Sequence, residues 1–229
     1  MSVSINPSIL SADLANLASE CNAIKDYCDY FHVDVMDYHF VPNLTFGLPV
    51  VEKLLSVVDK PLDCHLMIEN PERWASAYAE VGAQSVTFHF EAAREPELVI
   101  QNIKRHGAKV GLAIKPGTDL ELVTKYLSEI DMLLVMTVEP GFSGQSFMAD
   151  MMPKVRNARE IARREQLPLT IQVDGGVSPE TIAECSRNGA DVFVCGHAVF
   201  RASNPAQACI DMRQLAVDAQ NGAWWTATP

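Results

Sequence analysis

Eight short runs of β-branched and apolar residues recur along the chain, beginning near Ser4, Tyr30, Pro61, Ser85, Lys109, Met132, Thr170 and Val192. The segments between them carry helix-type patterns. Asp13 to Tyr27 opens on a capping-type Asp13 and continues through Leu14, Leu17, Cys21 and Ile24, and Pro71 to Val81 is a second example. Eight strand-then-helix units predict a parallel sheet, because parallel neighbours need crossover helices, and closing that sheet removes its exposed edges. The expected fold class is therefore α/β, a single (β/α)8 TIM barrel spanning residues 1–229. An open doubly wound sheet is the alternative, but the Gly-x-Gly-x-x-Gly that commonly follows its first strand is absent. Residues 221–229 are either a flexible tail or a packing strap, and the adjacent Trp224 and Trp225 favour packing.

The 229 residues suit one barrel better than two small domains. No apolar run reaches the roughly 18 residues that a membrane span needs, and Met1 to Ile5 lacks a signal-peptide pattern. A cytoplasmic protein is expected. A formal net charge of -11 argues against nucleic acid and anionic membranes as partners, though local dipoles or a metal can still hold an anionic metabolite. The six cysteines are irregularly spaced with no Cys-x-x-Cys, which predicts reduced thiols. Cys64 and Cys195 in apolar runs should be buried and inert.

A period of two places His32, Asp34 and Met36 on one face of the second strand and Phe31, Val33 and Val35 on the other. The same pattern puts Asp63, His65 and Met67 together on the third strand, Thr87 and His89 on the fourth, and Gln172 and Asp174 on the seventh. Any one of these histidines alone suits a satisfied core position. Jointly, histidine nitrogens and carboxylate oxygens from strands two, three and seven suit one divalent ion per subunit, Zn2+, Fe2+, Mn2+ or Co2+. Buried without such a partner or a dense hydrogen-bond network, they would be costly.

Glycine loops follow strands six, seven and eight: Glu139 to Gln145 with Gly141, Phe142, Ser143 and Gly144; Asp174 to Ser178 with Gly175 and Gly176; and Cys195 to Ala198 with Gly196. Each can present backbone N–H groups to an anion, and loops after strands seven and eight are the usual phosphate grip of such barrels. His197 either adds a donor or caps its loop. Met36, Met67 and Met136, at the ends of strands two, three and six, either fill the core or form a soft apolar cap over a reacting carbon.

The runs Asn6 to Asp13, His32 to Asp37 with His39 to Asn43, Cys64 to Met67, Met136 to Phe142 and Val173 to Gly176 resemble the ribulose-phosphate 3-epimerase family in sequence and order, over residues 5 to about 212. The resemblance implies His32, Asp34, His65 and Asp174 as metal ligands and Asp34 and Asp174 as the acid/base pair. It also implies a substrate contact from Ser8 and phosphate contacts from the glycine loops; His65, Met36, Met67 and Met136 are further expected substrate contacts. Tyr38 replaces the family's usual glycine and His197 its usual serine, which bears on substrate identity and phosphate affinity.

The implied reaction is epimerisation at C3 of D-ribulose 5-phosphate to D-xylulose 5-phosphate through an enediolate. The same chemistry on D-allulose 6-phosphate, or a non-catalytic sugar-phosphate-binding barrel, are the alternatives. A metal-free decarboxylase would want a Lys-x-Asp-x-Lys-like array, and no Asp-x-Lys stands at a strand end. Barrels of this type often pair, so a homo-oligomer, dimer or hexamer, is expected.

Overall fold

In the computed structural model, which describes residues 3–226, eight parallel strands lie in the order β1-β8-β7-β6-β5-β4-β3-β2. They are β1 Ser4–Asn6, β2 Phe31–Met36, β3 Leu62–Met67, β4 Ser85–His89, β5 Lys109–Ile114, β6 Met132–Met136, β7 Thr170–Asp174 and β8 Val192–Val194. Each begins within one residue of its expected start. A parallel bridge from Ser8 to His32, with the His32 N–H donating to the Pro7 carbonyl at 3.0 Å, joins the two ends of the sheet. The single barrel that the alternation predicts is thus formed.

The crossover helices are α1 Leu17–Ile24, α2 Leu48–Val57, α3 Pro71–Glu80, α4 Pro96–Arg105, α5 Met152–Arg164 and α6 Ile182–Asn188, and α7 His197–Phe200 and α8 Pro205–Gln220 follow the last strand. Two places differ from expectation. Asp13 caps a turn rather than the helix: its carboxylate accepts from the Ala15 N–H and from Asn16 Nδ2, and α1 begins only at Leu17. Between β5 and β6 the connection is a 3-10 helix, Leu120–Tyr126. Its buried residues Leu120, Val123 and Tyr126 recur every third position, which matches three residues per turn rather than 3.6.

Phe31, Val33 and Val35 belong with Leu62, Cys64 and Leu66 to the large core between barrel and helices. Their alternates point inward, as a period of two requires. All six cysteines are free and buried, and burial pushes their thiols up, Cys21 to about 12, so they are poor nucleophiles.

The C-terminal segment is a strap as far as Thr226; 227–229 lie outside the described residues. Trp225 is 3% exposed, donates from Nε1 to the Ser186 carbonyl at 2.9 Å, and faces the Arg159 guanidinium 4.7 Å from its ring centroid. Arg159 is itself buried, pairs with Asp191 just before β8, and donates to the Gly189 carbonyl at 2.9 Å. The strap therefore braces the strands that carry the glycine loops. Trp225→Ala should lower unfolding stability by about 3–5 kcal/mol in urea titrations, whereas Leu14→Ala, at an exposed site, should stay within about 0.5 kcal/mol. Equal small effects would show the strap to be decorative.

Candidate active site

The inward face of β2, β3 and β7 converges on four side chains. His32 and His65 are fully buried, Asp34 is nearly so, and Asp174 is partly exposed at the end of β7. His32 Nε2 lies 3.3 Å from Asp34 Oδ1, 3.6 Å from Asp174 Oδ2 and 3.4 Å from His65 Nδ1. His65 Nδ1 lies 3.4 Å from each of the same two carboxylate oxygens. In a tetrahedral shell with bonds of about 2.1 Å, ligand atoms stand about 3.4 Å apart. The four donors thus have the spacing and the mixed nitrogen and oxygen chemistry of a divalent-metal site.

The electrostatics agree. Burial alone would push the His32 imidazolium down, but the Asp34 and Asp63 carboxylates beside it hold it well above its ordinary value. His65 is likewise raised against its burial by hydrogen bonds to Asp174 and Asp34. Asp34 is buried, yet the two histidines hold its carboxyl far below the usual range. Its other oxygen, Oδ2, accepts from Ser8 Oγ at 2.5 Å. Burial pushes His89, behind His65, down to about 4. The neighbouring Glu91, although burial opposes its ionisation, is held at about 2, chiefly by its bond to His89.

Above this floor opens a cavity of about 330 Å³. Ser8, Asp34, Met36, Met67, Met136 and Asp174 line its lower part. Gly141, Phe142, Ser143, Gly144, Gly175, Gly176, Gly196 and His197, the residues of the three glycine loops, line its rim. His65 is not among the residues lining the cavity; it stands two residues before Met67 on β3. Glycine is required at two rim positions. A Cβ on Gly175, at φ +119°, would stand 2.4 Å from Val138 Cγ2, and one on Gly176, at φ +66°, 2.6 Å from the Phe147 backbone nitrogen. Tyr38 adopts φ +62°, the left-handed region that a glycine fits best, and lies outside the lining.

A profile described as the Ribulose-phosphate 3 epimerase family matches residues 4–200. Ribulose-phosphate 3-epimerase from Mycobacterium tuberculosis is 51% identical over 212 residues, covering 93% of this chain and 92% of that one. The chain belongs to the ribulose-phosphate 3-epimerase family. It is accordingly an isomerase of the epimerase type. The cytoplasmic isoform of ribulose-phosphate 3-epimerase from Oryza sativa subsp. japonica is 42% identical, covering 95% of this chain and 96% of that one. Among solved structures, KGPDC from Streptococcus mutans has a TM-score of 0.72 at 16% identity, covering 96% of this chain and 99% of that chain; this likeness concerns the fold.

Several residues in and around this cavity escape a sequence reading of strand ends alone. Ser11 lines the cavity and its Oγ lies 2.8 Å from Ser143 Oγ, so the segment after β1 meets the loop after β6. Asn43 Nδ2 donates to the Gly141 carbonyl at 2.8 Å, tying the loop after β2 to the same rim. Neither residue stands on a strand, and only their place in the family-like runs Asn6 to Asp13 and His39 to Asn43 hints at a role. Glu180 also lines the rim, from the turn preceding α6.

Both raised histidines must lose a proton before an ion takes their facing nitrogens. Uptake of Zn2+ by chelator-treated protein should therefore release protons, and the apparent affinity should rise with pH, by about tenfold per pH unit for each proton displaced. Calorimetry in buffers of different ionisation enthalpy measures that release; uptake independent of pH would contradict the charge state described here.

Proposed function

We propose that the chain inverts C3 of D-ribulose 5-phosphate to give D-xylulose 5-phosphate, with Asp34 and Asp174 as alternating base and acid. The observation that carries this is the placement of two carboxylates on β2 and β7, three strands apart around an eight-strand ring, at the floor of one cavity. Epimerisation removes a weakly acidic proton next to a carbonyl and returns one to the opposite face, so it needs an acid/base group on each side. Ser8, donating to Asp34, keeps that carboxylate oriented toward the cavity.

One divalent ion per subunit, Zn2+, Fe2+, Mn2+ or Co2+, on His32, Asp34, His65 and Asp174 would stabilise the negative charge that develops on the sugar oxygens. Met36, Met67 and Met136 form the apolar lining beside the acid/base pair, where they keep water from the carbanionic carbon. Positive-φ backbone at Gly141, Gly144, Gly175 and Gly176 turns the rim loops sharply around the space expected to take the phosphate. Gly196 and His197 complete that rim.

Family membership supports a sugar phosphate as the substrate, and the match to a cytoplasmic isoform supports a cytoplasmic location. No helix among the described residues is long and apolar enough to cross a membrane. Assembly into a dimer or hexamer is part of the same proposal.

Protein loaded with each metal in turn should incorporate deuterium at C3 of D-ribulose 5-phosphate in D2O and form xylulose 5-phosphate, followed by NMR. Asp34→Asn and Asp174→Asn should each lose about 10²- to 10⁴-fold in kcat, with metal content measured alongside. Near wild-type turnover by both variants would reject the pair. Faster exchange with D-allulose 6-phosphate would reassign the substrate to six carbons.

A further inference from the structure

Two carboxylates outside the four candidate ligands stand behind the two histidines. Asp63 Oδ2 lies 2.9 Å from His32 Nδ1 and also accepts from Gln172 Nε2 at 2.7 Å and Asn6 Nδ2 at 3.3 Å, while Ser85 Oγ donates to Oδ1. A carboxylate only accepts, so His32 keeps a hydrogen on Nδ1, and the nitrogen that becomes bare when the ring gives up its other proton to an incoming ion is Nε2, which faces Asp34 and Asp174. On the other side the chain is longer. His65 Nε2 lies 2.9 Å from His89 Nε2, and His89 Nδ1 lies 3.1 Å from Glu91 Oε2. The same logic puts the His89 hydrogen on Nδ1, makes its Nε2 an acceptor, and keeps the His65 hydrogen on Nε2, so that Nδ1 is the nitrogen freed when His65 gives up its other proton.

Glu91 cannot swing away easily. Its Oε1 accepts from the Lys115 N–H at 2.7 Å and from Thr118 Oγ1, while Lys154 Nζ holds the same loop through the carbonyls of Lys115, Pro116 and Thr118. The two ligand histidines thus face one point through different nitrogens, which requires opposite tautomers. Neighbouring imidazoles have no intrinsic reason to adopt that pair.

We infer that Asp63, and Glu91 acting through His89, are positioning residues that fix opposite tautomers of His32 and His65, holding Nε2 of one and Nδ1 of the other bare toward a divalent ion. The inference rests on the metal reading above. Partners behind ligating histidines typically account for about 10- to 100-fold in metal affinity.

The test uses Zn2+ and the whole protein. Histidine 15N spectra of the Zn2+-loaded wild type should show N–H on Nδ1 of His32 and His89 and on Nε2 of His65; any other set overturns the inference without recourse to a variant. By chelator competition, Glu91→Gln, which exchanges one acceptor oxygen for a donor, should bind Zn2+ about 10- to 100-fold more weakly. Lys154→Met, which loosens the loop but leaves the relay, should retain wild-type affinity. Unchanged affinity in Glu91→Gln, or equal weakening in Lys154→Met, would reduce Glu91 to a loop staple. Should Glu91→Gln fail to fold, the wild-type spectrum decides. A wild type that takes up no Zn2+ would overturn the metal reading itself, whereas uptake with the wrong tautomers overturns this inference alone.

Discussion

Burying His32, Asp34, Asp63 and His65 together inside the barrel is tolerable only because each neutralises or hydrogen-bonds another. An unpaired carboxylate or imidazolium in such a place would cost several kcal/mol. Here Asp63 is held at about 2, lowered by His32 against the penalty of its own burial, and it collects donors from β1, β2, β4 and β7. Four strands are thereby keyed in register by one carboxylate. The hydrophobic core outside the barrel supplies most of the stabilisation, while this polar interior determines how the strands align.

The interior is divided. β5 and β6 contribute Ala113, Leu134 and Met136, which pack with Val138 as a small apolar cluster, while the charged groups crowd toward β2, β3 and β7. Gly111 on β5 is part of that division: a Cβ there would stand 2.1 Å from Thr87 Oγ1, so the strand opposite β4 must be bare. Charge on one side and apolar volume on the other give the cavity a reactive wall and a dry wall. That asymmetry suits chemistry at a carbon next to a carbonyl, where a proton must be exchanged with carboxylates and not with water.

Strand positions and inward faces were legible because two simple rules coincide there: a period of two and the need to pair buried charge. Those rules put His32, Asp34, Asp63, His65, His89 and Asp174 on inward faces once the barrel is assumed, and the family resemblance singles out His32, Asp34, His65 and Asp174 among them. Elements whose reasons are tertiary were not legible. The 3-10 crossover at Leu120–Tyr126 depends on packing three residues per turn, and α1 starts late because Leu14 lies exposed. Arg159 in a helical pattern reads as a surface cation, yet it is buried against Asp191 and Trp225. Ser11, Asn43, and the relay through His89 to Glu91 join residues distant in sequence, which no local spacing encodes.

The two departures from the family pattern fall in different places, and this separates floor from rim. Tyr38 occupies a left-handed position outside the cavity, where a non-glycine residue costs about 1 kcal/mol of strain. The turn is held by Asp37 Oδ1, which accepts from the His39 and Phe40 N–H groups at 2.9 and 3.0 Å, so the strain has local support and leaves the ligands untouched. His197 does line the cavity, and a Cβ on Gly144 would stand 4.0 Å from its Nδ1, which brings the loops after β6 and β8 together. In the proposed mechanism the reaction type rests on side chains fixed on strands, which the departures do not reach. On the same proposal, substrate length and phosphate affinity would be set at the rim, where an imidazole stands in place of the smaller hydroxyl usual in the family.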